Sequence, residues 1–194
     1  MAEQTPRSDT YYVSDVDTLK AVAHPLRVRM LGSLRVDGPA TASELARRFG
    51  ESSGSTSYHL RQLARFGYVE EDPEQPNARD RRWRAVHSYT HWSEELNDSP
   101  EGAEVSRWMR ERQRTFTGHV AETFDRERDT YSAAWRAAAG QSDLVKRLRP
   151  ESLRELEERV SELAEEYAAR DAGADDTEQV AIFFAGHPFR GYIA

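Results

Sequence analysis

Cysteine is missing from all 194 residues, which excludes disulfide scaffolds, thiolate nucleophiles, cysteine-ligated zinc and iron–sulfur clusters. Long hydrophobic runs are missing too. No stretch approaches the roughly 18 apolar residues of a membrane span, and the mean hydropathy is -0.83. The first nine residues are polar and unpatterned, without the hydrophobic stretch of a signal peptide, so the expectation is a soluble, cytoplasmic chain with a flexible tail over 1–14. Catalytic signatures are equally scarce. The chain contains no Gly-rich phosphate loop, Gly-x-Ser-x-Gly elbow or His-Glu-x-x-His. The carboxylates of 151–178 are interspersed with arginine, as on a solvated helix face. An enzyme is not expected, nor a cofactor.

What is present is enough apolar material, 38% hydrophobic and 10% aromatic residues, to fold without staples as one large domain or two small ones. Lysine is rare: Lys20 and Lys146 stand alone among 27 basic residues, and the rest are arginine, whose planar fork suits phosphate and guanine. The net charge of -7 argues by itself against a nucleic-acid partner. Its distribution argues the other way: the formal charge is -3 over 1–19, +4 over 20–92 and -8 over 93–194.

Punctuation residues divide the chain. Ser14 to Asp17 has the form of a capping box and opens a short helix to about Ala23. Pro25 starts a second, roughly 25–36, with Leu26, Met30, Leu31 and Leu34 on one face. Thr41 caps a third over 42–49, with Glu44 completing the box and Gly50 ending it. After 51–54 comes a fourth helix, stopped by Gly67. Leu60, Leu63 and Thr56 form its apolar stripe, with Ser55, Ser57, Tyr58, Arg61, Gln62 and Arg65 outside. Tyr68–Asp72 and Arg81–Val86 read as two strands of a hairpin with a charged tip. Further on, Val105, Trp108, Met109, Phe116, Val120, Phe124, Tyr131 and Trp135 predict one long amphipathic helix from about 100 to 139. Pro150 opens another, with Leu153, Leu156, Val160, Leu163 and Tyr167 at alternating steps of three and four. Residues 179–184, β-branched and aromatic, predict a strand. The fold class expected is mainly α with a small β wing: a winged helix-turn-helix over 15–92, then a long-helix dimerisation and effector region over 100–194 closed by that strand.

Three helices followed by a hairpin, with a tight turn between the last two helices, is the order of a winged helix-turn-helix. The start of the fourth helix offers free backbone N–H groups, and Ser53, Ser55, Thr56 and Ser57 offer hydroxyls small enough to let a helix into the major groove. Ser55, Ser57, Tyr58 and Arg61 are expected nearest the bases. Alternation places Arg82 and Arg84 on one face of the wing, Arg81 and Trp83 on the other, and Arg79 at the tip, within reach of backbone or minor groove. Arg47 and Arg48 fit solvation and phosphate contact equally. A lone histidine is more often structural than a ligand, so His24 is expected to cap the helix at Pro25 and His59 to pack within the fourth helix.

The segments Leu19–Leu31, Ala42–Ala46, Ser57–Leu63 and Gly67–Val69 resemble the ArsR-type bacterial transcriptional regulators, most specifically in Ala23-His-Pro-Leu-Arg27 and Ser57-x-His59-Leu60. The resemblance implies a homodimeric, DNA-binding repressor released by a ligand. Its metal sites are not reproduced. The cysteine pair would fall within 43–48, where there is none. A second site is matched by His119 and Glu122 in one half, but its other half falls on Ser106 and Trp108, so no metal is expected. Trp108, Phe116, Phe124 and Trp135 are candidates for an effector pocket, although an aromatic stripe at helical spacing more often forms core or dimer contact. The competing class is a winged-helix module that binds protein rather than specific DNA sequences, in keeping with the acidic second half.

Overall fold

A computed structural model of the chain describes residues 10–75, 81–188 and 190, divided into two units between Arg114 and Thr115. In the first unit, β1 (Thr10–Val13) is followed by α1 (Val16–Val22), α2 (Pro25–Val36), β2 (Ala40–Thr41), α3 (Ala42–Phe49), α4 (Ser53–Arg65), β3 (Val69–Glu71), β4 (Arg82–Ala85) and β5 (Tyr89–Trp92). A 3-10 turn at Glu94–Asp98 leads into α5 (Pro100–Glu127), which runs across the division. The second unit continues through a 3-10 turn at Arg128–Thr130, α6 (Ala133–Ala138) and α7 (Pro150–Arg170).

Local chemistry sets the short helices. Asp15 caps α1 by accepting the Thr18 N–H at 2.8 Å. Thr41 and Glu44 form the reciprocal capping box of α3, and Gly50 ends it at φ 70, a left-handed conformation that costs glycine little. Ser52 caps α4. The apolar faces so aligned meet in one core of Leu19, Val22, Leu26, Met30, Leu31, Leu34, Leu45, Leu60, Leu63, Tyr68, Val69 and Trp83. Tyr68 is buried with its hydroxyl donating to the Thr18 carbonyl at 2.9 Å, and burial pushes its phenol pKa upward.

β4 is the centre of a three-stranded antiparallel sheet of order β2-β4-β3, with Trp83 opposite both Ala40 and Glu71. β1 pairs in parallel with β5 from Thr10–Tyr89 to Val13–Trp92. Two parallel strands are marginal alone; here Val13 enters the core, and Tyr11 packs edge-on against Tyr68 at 5.0 Å while donating to the Phe66 carbonyl.

Several expectations need correction. The cap of α1 is Asp15, one residue beyond the expected Ser14. Residues 10–13 form a strand inside the stretch expected as tail, in keeping with the extended reading of Tyr11 to Val13, and β2 and β5 were not legible in four residues or fewer of local pattern. The helix expected to reach residue 139 ends at Glu127. There the Thr130 hydroxyl donates to the Glu127 carbonyl at 2.6 Å and Ser132 caps α6, so side chains take over from the helical ladder. No strand forms over 179–184: a strand needs a neighbour to pair with, whatever its propensity, and no described segment pairs with it. The first unit also extends past residue 92, because Leu96 is in its core with Val105 and Met109 packed against it. Among the described residues no helix is long and apolar enough to cross a membrane.

Candidate nucleic-acid interface

The helix-turn-helix is bolted together by Thr56. Its side chain is 0% exposed, and its hydroxyl donates towards the Ala42 carbonyl at 2.8 Å, with the Ser53 and Ser52 carbonyls also in range. This corrects Thr56 as a contact residue: it joins α4 to the start of α3 and has no hydroxyl to offer outward. Leu60 and Leu63 continue the same stripe into the core. The opposite face is open. Ser53, Tyr58 and Arg61 are exposed, and Ser55 and Ser57 are half-buried.

Between this face, the start of α3 and the wing lies an open cleft of about 390 Å³. Thr41 lines it from the end of β2, Ala42 and Ser43 from α3, Ser57 and Arg61 from α4, and Arg81 and Trp83 from the wing. No hydrogen bond or ion pair to the described residues holds Arg61 in place. Ser43 and Arg81 were not among the expected contacts; a helix start beside a basic strand is the signal that would have found them.

The wing is less positive than its arginines suggest. Antiparallel register sets Glu70 opposite Arg84, whose guanidinium reaches it at 2.6 Å. Arg81 meets Glu71 at 3.0 Å, and Arg82 lies 3.9 Å from the buried Asp72. Arg82 also donates to the Pro39 carbonyl at 2.8 Å, tying the wing to the entry of β2. Trp83 is buried and packs into the core. Exposed ion pairs such as Arg81–Glu71 stabilise little, about 0–1 kcal/mol, so the Arg81 guanidinium can exchange a carboxylate for a phosphate at small cost. Arg79, at the expected wing tip, lies outside the described residues. Arg48 is turned to Ser33 and Asp37.

The candidate effector residues do not share one environment. Trp108 is half-buried in the first unit. In the second, Phe116 is 50% exposed and meets Phe183 edge-on at 5.8 Å, Phe124 packs on Tyr131, and Trp135 donates to the Asp176 carbonyl. His119 and Glu122 are exposed, and among the described residues no group of three or more His, Cys, Asp or Glu side chains could hold a metal ion.

Helices α2 to α4 in one core, a tight polar turn between α3 and α4, and a three-stranded wing beside the recognition helix define a winged helix-turn-helix. Residues 22–71 match the family model described as a helix-turn-helix domain. That match covers α2 to β3 and includes most of the segments that resemble ArsR-type regulators. Similar solved structures include HlyU from Vibrio cholerae N16961, at 26% identity over 49% of this chain and 87% of that one, with a TM-score of 0.32. An ArsR family transcriptional regulator is similar at 26% identity over 52% of this chain and 93% of its own, with a TM-score of 0.31. The homodimeric winged helix-turn-helix DNA-binding domain Mb0332 from Mycobacterium bovis is similar at 20% identity, over 61% and 93%, with a TM-score of 0.34. No curated protein matches the chain.

Proposed function

We propose that this protein is a sequence-specific, DNA-binding transcriptional regulator that represses from a near-palindromic operator as a homodimer. The observation that carries the reading is the open face of α4: Ser53, Ser55, Ser57, Tyr58 and Arg61 point away from a stripe buried on the other side, beside a cleft containing Arg81. In this reading small hydroxyls admit the helix to the major groove, Arg61 meets a guanine edge, and the cleft takes a backbone phosphate. Arg79, Arg82 and Arg84 of the wing add contact to the flanking backbone or minor groove.

Assembly of two copies is supported by the second unit, where Leu156, Leu163 and Tyr167 of α7 stand exposed along one stripe. A two-fold dimer would set its recognition helices about 34 Å apart, one turn of duplex. Phe116, Phe124 and Trp135 of the second unit are proposed as contacts for a small apolar effector, testable through Trp135 fluorescence.

Selection from a random duplex pool at two salt concentrations tests the main reading. Enrichment of an inverted repeat with half-sites one helical turn apart supports it. Absence of both enrichment and salt-dependent binding would move the assignment to a protein-binding winged helix. Arg61→Ala should then weaken binding to the recovered duplex by about 1–3 kcal/mol without changing stability. Arg82→Ala is a poorer probe, since it also removes the bond to Pro39.

A further inference from the structure

Two imidazoles make a direct contact between α2 and the recognition helix. His24 caps α2 by accepting the Leu26 N–H at its Nδ1, 3.2 Å away, so that nitrogen keeps its lone pair and the neutral ring carries its proton on Nε2. His59 on α4 tilts over it, with ring centroids 4.6 Å apart. The His59 Nδ1 is buried and has no hydrogen-bond partner. Charged neighbours come from each side. Arg27 of α2 donates to the Lys20 carbonyl at 3.0 Å while its own Nε is buried without a partner. Tyr58 of α4 meets His59 edge-on at 5.3 Å, and Glu51, from the turn between α3 and α4, is the carboxylate acting on both rings.

We propose that His24 and His59 are positioning residues for the recognition helix, holding it against α2 only while both rings are neutral, so that acidification releases the protein from DNA. The proposal rests on the DNA-binding reading above. A proton on His24 would replace the acceptor of the α2 cap by a donor facing the Leu26 N–H. A proton on His59 would add a cation beside a second imidazole and a desolvated guanidinium. Burial and Arg27 hold the His24 pKa below the ordinary imidazole range, and burial, His24 and Arg27 do the same for His59. The folded state therefore binds fewer protons than the unfolded chain. The stabilisation is fully present above the ordinary imidazole value of about 6.5 and is lost as pH falls from there through the lowered folded-state values. Ser57, Tyr58 and Arg61 flank His59, so movement of this ring moves the face that would read bases.

The test uses the full chain, with His24→Asn, His59→Gln and the double variant. Asparagine keeps a capping acceptor that does not titrate in this range. Imidazole and α4 amide resonances are followed by NMR from about pH 8 to about pH 5, spanning the ordinary imidazole pKa. Affinity for the recovered duplex is measured over the same range. Wild type is expected to lose affinity roughly tenfold between about pH 7.5 and about pH 5.5, with the α4 amides shifting at the midpoint of the two imidazoles; the double variant should lose neither stability nor affinity over that window. If both rings titrate independently near pH 6.5 with unmoved α4 amides, or if the double variant keeps the wild-type profile, the proposal is overturned. Should no duplex bind at any pH, the DNA reading fails by itself, and the α4 amides still decide whether the histidine pair positions the helix. Should the double variant not fold, His24→Asn alone carries the comparison.

Discussion

At the residue scale, Thr56 and Ser57 are neighbours with similar chemistry and opposite work. Thr56 belongs to the period of Leu60 and Leu63 and its hydroxyl is spent on the Ala42 carbonyl, whereas Ser57 lines the cleft. Thr56→Val keeps the shape but removes the hydrogen bond that ties α4 to the start of α3, and urea unfolding should show a loss of about 1 kcal/mol. Ser57→Ala should change stability by less than about 0.5 kcal/mol while weakening duplex binding. Gly102 is a second residue whose role is invisible in the sequence. A Cβ there would stand 1.9 Å from the Leu96 carbonyl oxygen, a backbone atom that cannot swing aside. Gly102→Ala is expected to destabilise the first unit by about 1–3 kcal/mol, measured in the same way; an unchanged midpoint would show that α5 shifts freely.

At the element scale, α3 is the helix most completely written in its own sequence. Thr41, Glu44 and Gly50 supply start, reciprocal box and stop within ten residues, and all three act as expected. Thr41→Ala should cost about 1 kcal/mol. Hydrogen bonds from the Thr41 backbone and side chain hold the Glu44 carboxyl below its usual pKa. The stabilisation is therefore present above the ordinary glutamate range of about 4.3 and is lost as pH falls through the lowered value. Unfolding midpoints of wild type and Thr41→Ala should converge on acidification; parallel curves would remove Glu44 from the account. The end of α5 shows the limit of such reading. Apolar spacing continued to Trp135, but periodicity does not register that Thr130 and Ser132 divert hydrogen bonds from the ladder.

For the whole molecule, the contrast lies between a first unit with a core and a second whose described residues are nowhere buried. Helices in water gain most of their stability from a packed face, and the stripe of Leu156, Leu163 and Tyr167 has none in the single chain. If a second copy covers it, Leu156→Glu with Leu163→Glu should convert a dimer to a monomer in sedimentation and reduce duplex affinity, since two half-sites would no longer be bound together. A wild-type chain that sediments as a monomer would rule out that assembly. The net charge of -7 sets a further expectation: attraction to phosphate is local to the first unit, so binding should weaken steeply with salt despite an acidic protein.

Capping chemistry, helical period and hairpin order are local properties, and the sequence by itself determined α2, α3, β3, β4, α7 and most of α4, together with the outward placement of Tyr58 and Arg61. Tertiary structure decided what depends on a neighbour distant in the chain. It paired β1 with β5, added β2 to the wing, placed Glu70 and Glu71 against Arg84 and Arg81, and brought His24 against His59. It also denied residues 179–184 a strand. The physical reason is the same throughout: a cap or an amphipathic turn is satisfied within four residues, whereas a strand edge, a buried hydroxyl or a ring face is satisfied only by whatever the fold brings to it.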